Sequence, residues 1–317
     1  MTSGGAFDLF YSEILLPKLE QLEAYREEIK KNYDGFLTLV AFGIIVVCGY
    51  RIVNDGTVTG VIVLFCMYGI PAAYIIRWRS QKIRDAYSFR FKEEIIGSII
   101  RYHNPTLVHS PEKGIMLKAV EISTIFNDSL KRFESNDEVE GQLGKTYLQF
   151  SNVKLEHSTL GMKSKFSGLF LIARFNKKFS GDYLVISNRG SFAAVSSLEQ
   201  TLQQTNLSRP PLITVENPVF RREFSVFGSD PIEAFYILTP ALMQRMLDFK
   251  EKVQDEVHFS FSRSRMFVAI RGKDHIFYPP LSKQVNKKDL EAWNEGLGFA
   301  LALVNDLNLN TRLWSKQ

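Results

Sequence analysis

Two apolar stretches, three residues apart and near the start of the chain, limit its fold more than any other feature. Residues 35–53 read GFLTLVAFGIIVVCGYRIV, with Arg51 as their one charge; residues 57–76 read TVTGVIVLFCMYGIPAAYII, with none. Each matches the ~20 residues that an α-helix needs to cross ~30 Å of hydrocarbon. Only Asn54, Asp55 and Gly56 lie between them. A connection that short makes two helices antiparallel neighbours. A removable signal peptide fits poorly. The first stretch begins after 34 residues, lacks a small-residue cleavage site and is followed at once by a second stretch. Buried helices of a soluble fold are the other alternative, but helices this long and apolar on every side are rare there.

Charge then sets the orientation. Lys30 and Lys31 precede the first stretch, Arg77, Arg79, Lys82 and Arg84 follow the second, and the linker carries only Asp55. The positive-inside rule places both termini in the cytosol. The basic cluster also accounts for part of the net charge of +5 without nucleic acid. Its four members are candidate contacts for anionic headgroups. Arg51 can snorkel to the interface. The two cysteines, Cys48 and Cys66, sit inside the apolar stretches, so neither a disulfide framework nor a zinc site is expected. Gly56 with Gly60, and Gly69 with Ala73, are small-residue pairs through which a second copy could pack.

The flanks read as helix. Leu15, Leu19 and Leu22 recur at helical spacing before the stretches, opposite Glu20, Glu23, Glu27 and Glu28. After them, Phe91, Ile95, Ile96, Ile99 and Ile100 form the apolar side of a helix that Asn104-Pro105 ends. The expected organisation is an amphipathic helix over 1–34, a transmembrane hairpin over 35–76, a basic helical stalk over 77–103 and a cytosolic α+β domain over 104–317. In that domain, residues 115–126 read as a helix and the acidic run ESNDEVEGQLG, 134–144, as a loop. Short strands follow at 147–150, 153–156, 166–175 and 183–187. Residues 196–211 are polar and read as a loose surface segment. A strand at 223–227 leads to two helices, 232–238 and 241–252, started by Asp230-Pro231 and Thr239-Pro240. Phe259 and Phe261 share one parity while Met266, Val268 and Ile270 share the other, which puts a hairpin turn at 262–265. Leu290, Trp293, Leu297, Leu301 and Val304 make one stripe of a final helix. The fold class expected is α+β: an antiparallel sheet flanked by helices, behind a membrane hairpin.

No reaction is legible. His103, His109, His157, His258 and His275 lack metal-ligand spacing, and no phosphate loop or nucleophile elbow occurs. No cofactor is expected. Asp137, Glu138 and Glu140 crowd one segment that could hold a cation or a basic partner; a solvated acidic loop is the bland alternative. Asp230 and Glu233 read as helix-start charges. Arg263 and Arg265 lie on a turn, facing either solvent alone or a phosphate or lipid headgroup. Aromatic and basic residues interleave at 175–179, but on turns and strand edges, so nucleic acid is not an expected partner.

Two motifs add a resemblance. FSGLFLIARFNKKF at 166–179 and FRREFSVFGSDPIEAFYILTP at 220–240 resemble hallmarks of an uncharacterised bacterial membrane-protein family, the domain-of-unknown-function family numbered 3137. The segments 137–141, 258–261 and 309–314 also fit, so the resemblance covers nearly the whole chain. It implies a two-span hairpin followed by one cytosolic domain, a bacterial host and hence the inner membrane. It implies no activity and no catalytic residue. The function expected is a membrane-anchored interaction or scaffold module, with the bilayer and a protein, including a second copy, as partners. A membrane-tethered enzyme on a lipid or nucleotide, or a subunit of a transport or envelope assembly, are the alternatives. A deep pocket with converging titratable groups would favour the enzyme, and an exposed apolar patch the interaction module.

Overall fold

The computed structural model describes residues 3–55, 67, 70–126, 130, 132–159, 162–175, 177–188, 210–272 and 284–306. Most of the second apolar stretch, residues 196–209 of the polar segment, His275 and the 309–314 ending lie outside these, as do the side chains of Cys48 and Arg51. The chain divides into two compact units, Met1–Ile96 with Tyr278–Asp289, and Gly97–Phe277 with Leu290–Gln317.

In the first unit, helix α1 (Ser3–Phe10) passes through a π-helical turn, Tyr11–Leu15, into the 40-residue helix α2 (Leu16–Asp55). Leu15 and Leu22 are buried, as their spacing predicts, and Glu20 is exposed. Helix α3 (Ile70–Phe91) continues through a second π-helical turn, Lys92–Ile96. Arg90 lies over the ring of Tyr25 at 5.1 Å and Arg79 over that of Phe36 at 5.3 Å. The partners advance along α2 as they recede along α3, so the two helices run antiparallel. Among the described residues, no helix is long and apolar enough to cross a membrane. Helix α2 joins a charged first half to its apolar second half, with Phe42, Ile45, Val46 and Tyr50 exposed.

The second unit begins with helix α4 (Gly97–His103), where Ile99 and Ile100 are buried. Among the described residues it is built on a nine-stranded antiparallel sheet. The strands are β1 (Val108–Ser110), β2 (Arg132–Leu143), β3 (Thr146–Thr159), β4 (Met162–Arg174), β5 (Tyr183–Ser187), β6 (Leu212–Ile213), β7 (Phe224–Gly228), β8 (Val257–Ser262) and β9 (Arg265–Arg271). Their order is β1-β2-β3-β4-β9-β8-β5-β7-β6, with the two shortest strands at the edges, where a short strand limits unpaired backbone. The helices of the described residues from here on are α5 (Leu117–Ile122), α6 (Pro218–Glu223), α7 (Pro231–Ile237), α8 (Pro240–Val253) and α9 (Lys287–Asp306). The fold is α+β.

Alternation splits the core between the sheet faces. Phe166, Phe170 and Ile172 of β4 join Phe267, Leu184 and Ile186 in one cluster with Val120, Ile125 and Phe126. On the other face, Phe249 of α8 meets Phe259 at 6.2 Å, and Phe224 meets Phe259 at 5.8 Å. Each buried Phe contributes about 1.5–3 kcal/mol.

The expected acidic loop at 134–144 is instead most of strand β2, paired with β3 from Arg132↔Glu156 to Leu143↔Thr146. Its polar residues mislead because Arg132, Glu134 and Gln142 face outward and one bulge breaks the alternation between Asn136 and Val139. The strands expected at 147–150 and 153–156 are one strand, β3. The helix expected over 115–126 is only α5, because Thr124 takes a left-handed φ of 53° just beyond it.

Candidate functional site

One end of the sheet gathers the turns that carry exposed chemistry. The β8–β9 hairpin turns at Arg263 and Ser264, whose φ values of 50° and 56° fit the mirror-image turn that twists with its strands. Ser264 O accepts from the Phe175 N–H at 3.0 Å, and Arg174 pairs with Arg265 across β4 and β9. Arg174 lies over the ring of Tyr147 at 5.7 Å, just past the Gly144-Lys145 turn. This end exposes Lys145, Arg174, Lys178, Arg263 and Arg265, against exposed Asp182 and Asp230.

Helix α7 completes the end. Asp230 caps it by accepting from the Ile232 N–H at 2.8 Å, with Pro231 in its first turn. Its Ala234 and Ile237 are fully buried, while Ile232 is 80% exposed, Phe235 43% and Tyr236 46%. The spacing of those three puts them on one face. Glu233 does not merely serve the helix start, as its position suggests. It accepts from the backbone N–H groups of Ser180 and Gly181, both at 2.9 Å, and from the Tyr183 hydroxyl at 2.6 Å. Lys177 donates to the Tyr236 carbonyl and lies over the Tyr236 ring at 4.5 Å; burial lowers its pKa. These bonds fix α7 with its apolar face outward.

Both long motifs of the sequence meet here: 166–179 supplies β4 and the Lys177 loop, and 220–240 supplies β7 and α7. Residues 164–309 match the sequence profile of a family described as "Protein of unknown function (DUF3137)". This part of the chain is a DUF3137 domain. The match begins within β4, so Asp137–Gly141 and the apolar stretches lie outside it, and the two-span character that the resemblance implied is not carried by it. No curated protein matches the chain. Among solved structures, the chain is similar to the crystal structure of the mycobacterial trehalose monomycolate transport factor A, TtfA, at 12% identity and a TM-score of 0.31, covering 68% of this chain and 96% of that one. A likeness that low carries neither fold nor function across.

The DUF3137 domain also holds an open cleft of ≈ 840 Å³ beside α8. Its charges largely satisfy one another. Lys250 Nζ lies 3.1 Å from Glu223 Oε2 and over the Phe224 ring at 4.6 Å. Arg271 Nε lies 2.7 Å from Glu256 Oε2, and Gln244 donates to Asp248 at 2.8 Å. Behind Glu256, His258 Nε2 lies 3.3 Å from Oε1, while His258 Nδ1 accepts from the Ser187 N–H at 3.2 Å. That acceptor role places the ring proton on Nε2, facing Glu256. His258 is buried, so it braces Glu256 rather than meeting a substrate.

The sequence-chosen residues separate into three places. Arg77, Arg79, Lys82 and Arg84 are all exposed on α3, Lys82 lying over Trp78 at 4.2 Å and Arg84 donating to Gln81 at 2.8 Å. Arg263 and Arg265 are exposed at the sheet end. Asp137 is fully buried within β2, which corrects its placement on a solvated loop. It occupies the β2 bulge at φ 59°, its Oδ1 3.6 Å from His109 Nε2 and its Oδ2 accepting from Asn152 at 3.4 Å. Glu138 and Glu140 accept from Gln149 and Tyr147. No cluster of three or more metal-binding side chains occurs among the described residues.

Proposed function

We propose that the chain is a membrane-anchored module whose work is contact rather than chemistry. The observation that carries this reading is the outward apolar face of α7, Ile232, Phe235 and Tyr236. Three large apolar groups on one short helix are costly to leave in water unless something covers them. The cleft beside α8, where an enzyme would converge unpaired groups, pairs its cations with its carboxylates instead.

The anchor is the helical pair at the N-terminus. Two uncharged or nearly uncharged stretches of adequate length, an antiparallel packing of α2 and α3, and basic residues on the outer flanks support a hairpin across a bacterial inner membrane with both termini in the cytosol. Exposed Tyr74 and Trp78, next to Arg77 and Arg79, suit the interfacial belt. Nothing in the reading requires a cofactor.

A photo-crosslinking residue in place of Phe235, in cells with native membranes, tests the reading. The expected result is an adduct in the membrane fraction that resists alkaline carbonate washing. A chain found in the soluble fraction refutes the anchor; a membrane-bound chain with no adduct refutes the contact role.

A further inference from the structure

We propose that the end of the sheet bearing Ile232, Phe235 and Tyr236 docks on the anionic surface of the bilayer itself. This rests on the anchored reading and names what the apolar face meets.

Charge is the first argument. Lys145, Arg174, Lys178, Arg263 and Arg265 are exposed at this end, against Asp182 and Asp230. They are not scattered. Strand register pairs Arg174 with Arg265, and the Phe175–Ser264 bond ties the two turns together. Polybasic surfaces gain about 1 kcal/mol per Lys or Arg at an anionic leaflet, without requiring a shaped partner. Composition is the second argument. An aliphatic, a Phe and a Tyr beside long basic side chains are the residues that settle at headgroup depth, rings in the acyl boundary and cations among phosphates. Presentation is the third. Glu233 pins α7 to the Ser180-Gly181 turn, and buried Ala234 and Ile237 hold its other face, so the apolar side chains stand outward before any lipid arrives. Ordering costs little on docking.

The test uses the full chain with Cys48→Ala and Cys66→Ala, labelled at Phe235→Cys with a polarity-sensitive fluorophore. It is placed in nanodiscs of phosphatidylcholine alone or with phosphatidylglycerol. The expected result is a blue shift in the anionic discs, little in the neutral ones, and reversal by salt. Arg263→Asn with Arg265→Gln should lower the docked-to-undocked ratio about 30-fold, at ~1 kcal/mol per charge removed; Asn keeps the left-handed turn. Tyr236→Cys supplies a second labelled position. No shift in anionic discs, or the same shift in both lipids, overturns the proposal. So does a shift in detergent that grows with protein concentration, which marks a second copy as the occupant. A chain that does not enter discs refutes the anchored reading instead, and mixing it with anionic vesicles then tests docking alone: a shift supports it, none overturns it.

Discussion

The Tyr183 hydroxyl donates to Glu233 Oε2 at 2.6 Å, joining the start of β5 to α7. Burial opposes the charge on Glu233, but the bonds from Tyr183, Ser180 and Gly181 outweigh it and hold the carboxyl below its ordinary 4.5. Burial, then the same contact, pushes the Tyr183 hydroxyl up. A depressed carboxylate stabilises the fold fully above its ordinary value and loses that contribution as pH falls through its folded value. Glu233→Gln should therefore cost about 1 kcal/mol at pH 7, a modest figure because the carboxylate is partly solvated. The difference from wild type should shrink below pH 4.5. Thermal melts of the detergent-solubilised chain at both pH values check this; a gap that widens in acid sinks it.

Gly168 permits a close backbone approach between β4 and β9. A Cβ there would stand 2.0 Å from Ile270 O, across the β4–β9 ladder. Backbone cannot yield as a side-chain tip can. Gly168→Ala should cost ~1–3 kcal/mol or more, read as a lower urea midpoint. Gly43→Ala is the control, because its methyl would meet nothing within 4 Å. Equal midpoints for Gly168→Ala and wild type would show that β4 and β9 part more easily than their register implies.

Glu256 receives Arg271 and His258 on its two oxygens and is itself buried. Removing the carboxylate breaks the Arg271 ion pair and takes the charge away from the buried His258 ring, while Arg271 keeps its 2.8 Å bond to the Lys165 carbonyl. Glu256→Ala should cost ~2–3 kcal/mol, below the range for a fully buried pair because Arg271 is 29% exposed. In a double-mutant cycle, Arg271→Ala should then cost less by ~1 kcal/mol or more than it does alone. Additive losses would mean that the pair is solvated and carries no coupling.

How much of this could be read in advance varies with how each element earns its burial. β5 was legible to the residue because YLVIS is a fully buried run between Asp182 and Asn188. The β8–β9 turn was legible because a change of parity admits only a turn or a bulge. β2 was not, since a strand near the edge is written in polar residues and its bulge turns Asp137 inward against the local charge pattern. Of the site, Arg263 and Arg265 were legible as exposed. A helix over 232–238 was legible, but its outward face of Ile232, Phe235 and Tyr236 was missed. The available signal was that IEAFYI is apolar on nearly every side of one short helix, which leaves no wet face.

That two-faced helix gives the sharpest separation of contact from stability. Ile237 is fully buried and Ile232 is 80% exposed, five residues apart on α7. Ile237→Ala empties core volume and should cost ~2–4 kcal/mol, lowering the melting temperature. Ile232→Ser removes mostly exposed surface and should stay within about ±0.5 kcal/mol of wild type; Phe235 is 43% exposed and also gives up packing, so Phe235→Ser should cost about 1 kcal/mol, still less than Ile237→Ala. The same two serines should abolish crosslinking from a probe at Tyr236 in native membranes, while Ile237→Ala, once folded at lower temperature, should retain it. Circular dichroism melts and crosslink yields, measured on the same preparations, make the comparison. If the serine variants melt as early as Ile237→Ala, the face is part of the core and α7 is only structural; if they melt later than it and still crosslink, the contact lies on another surface of the domain.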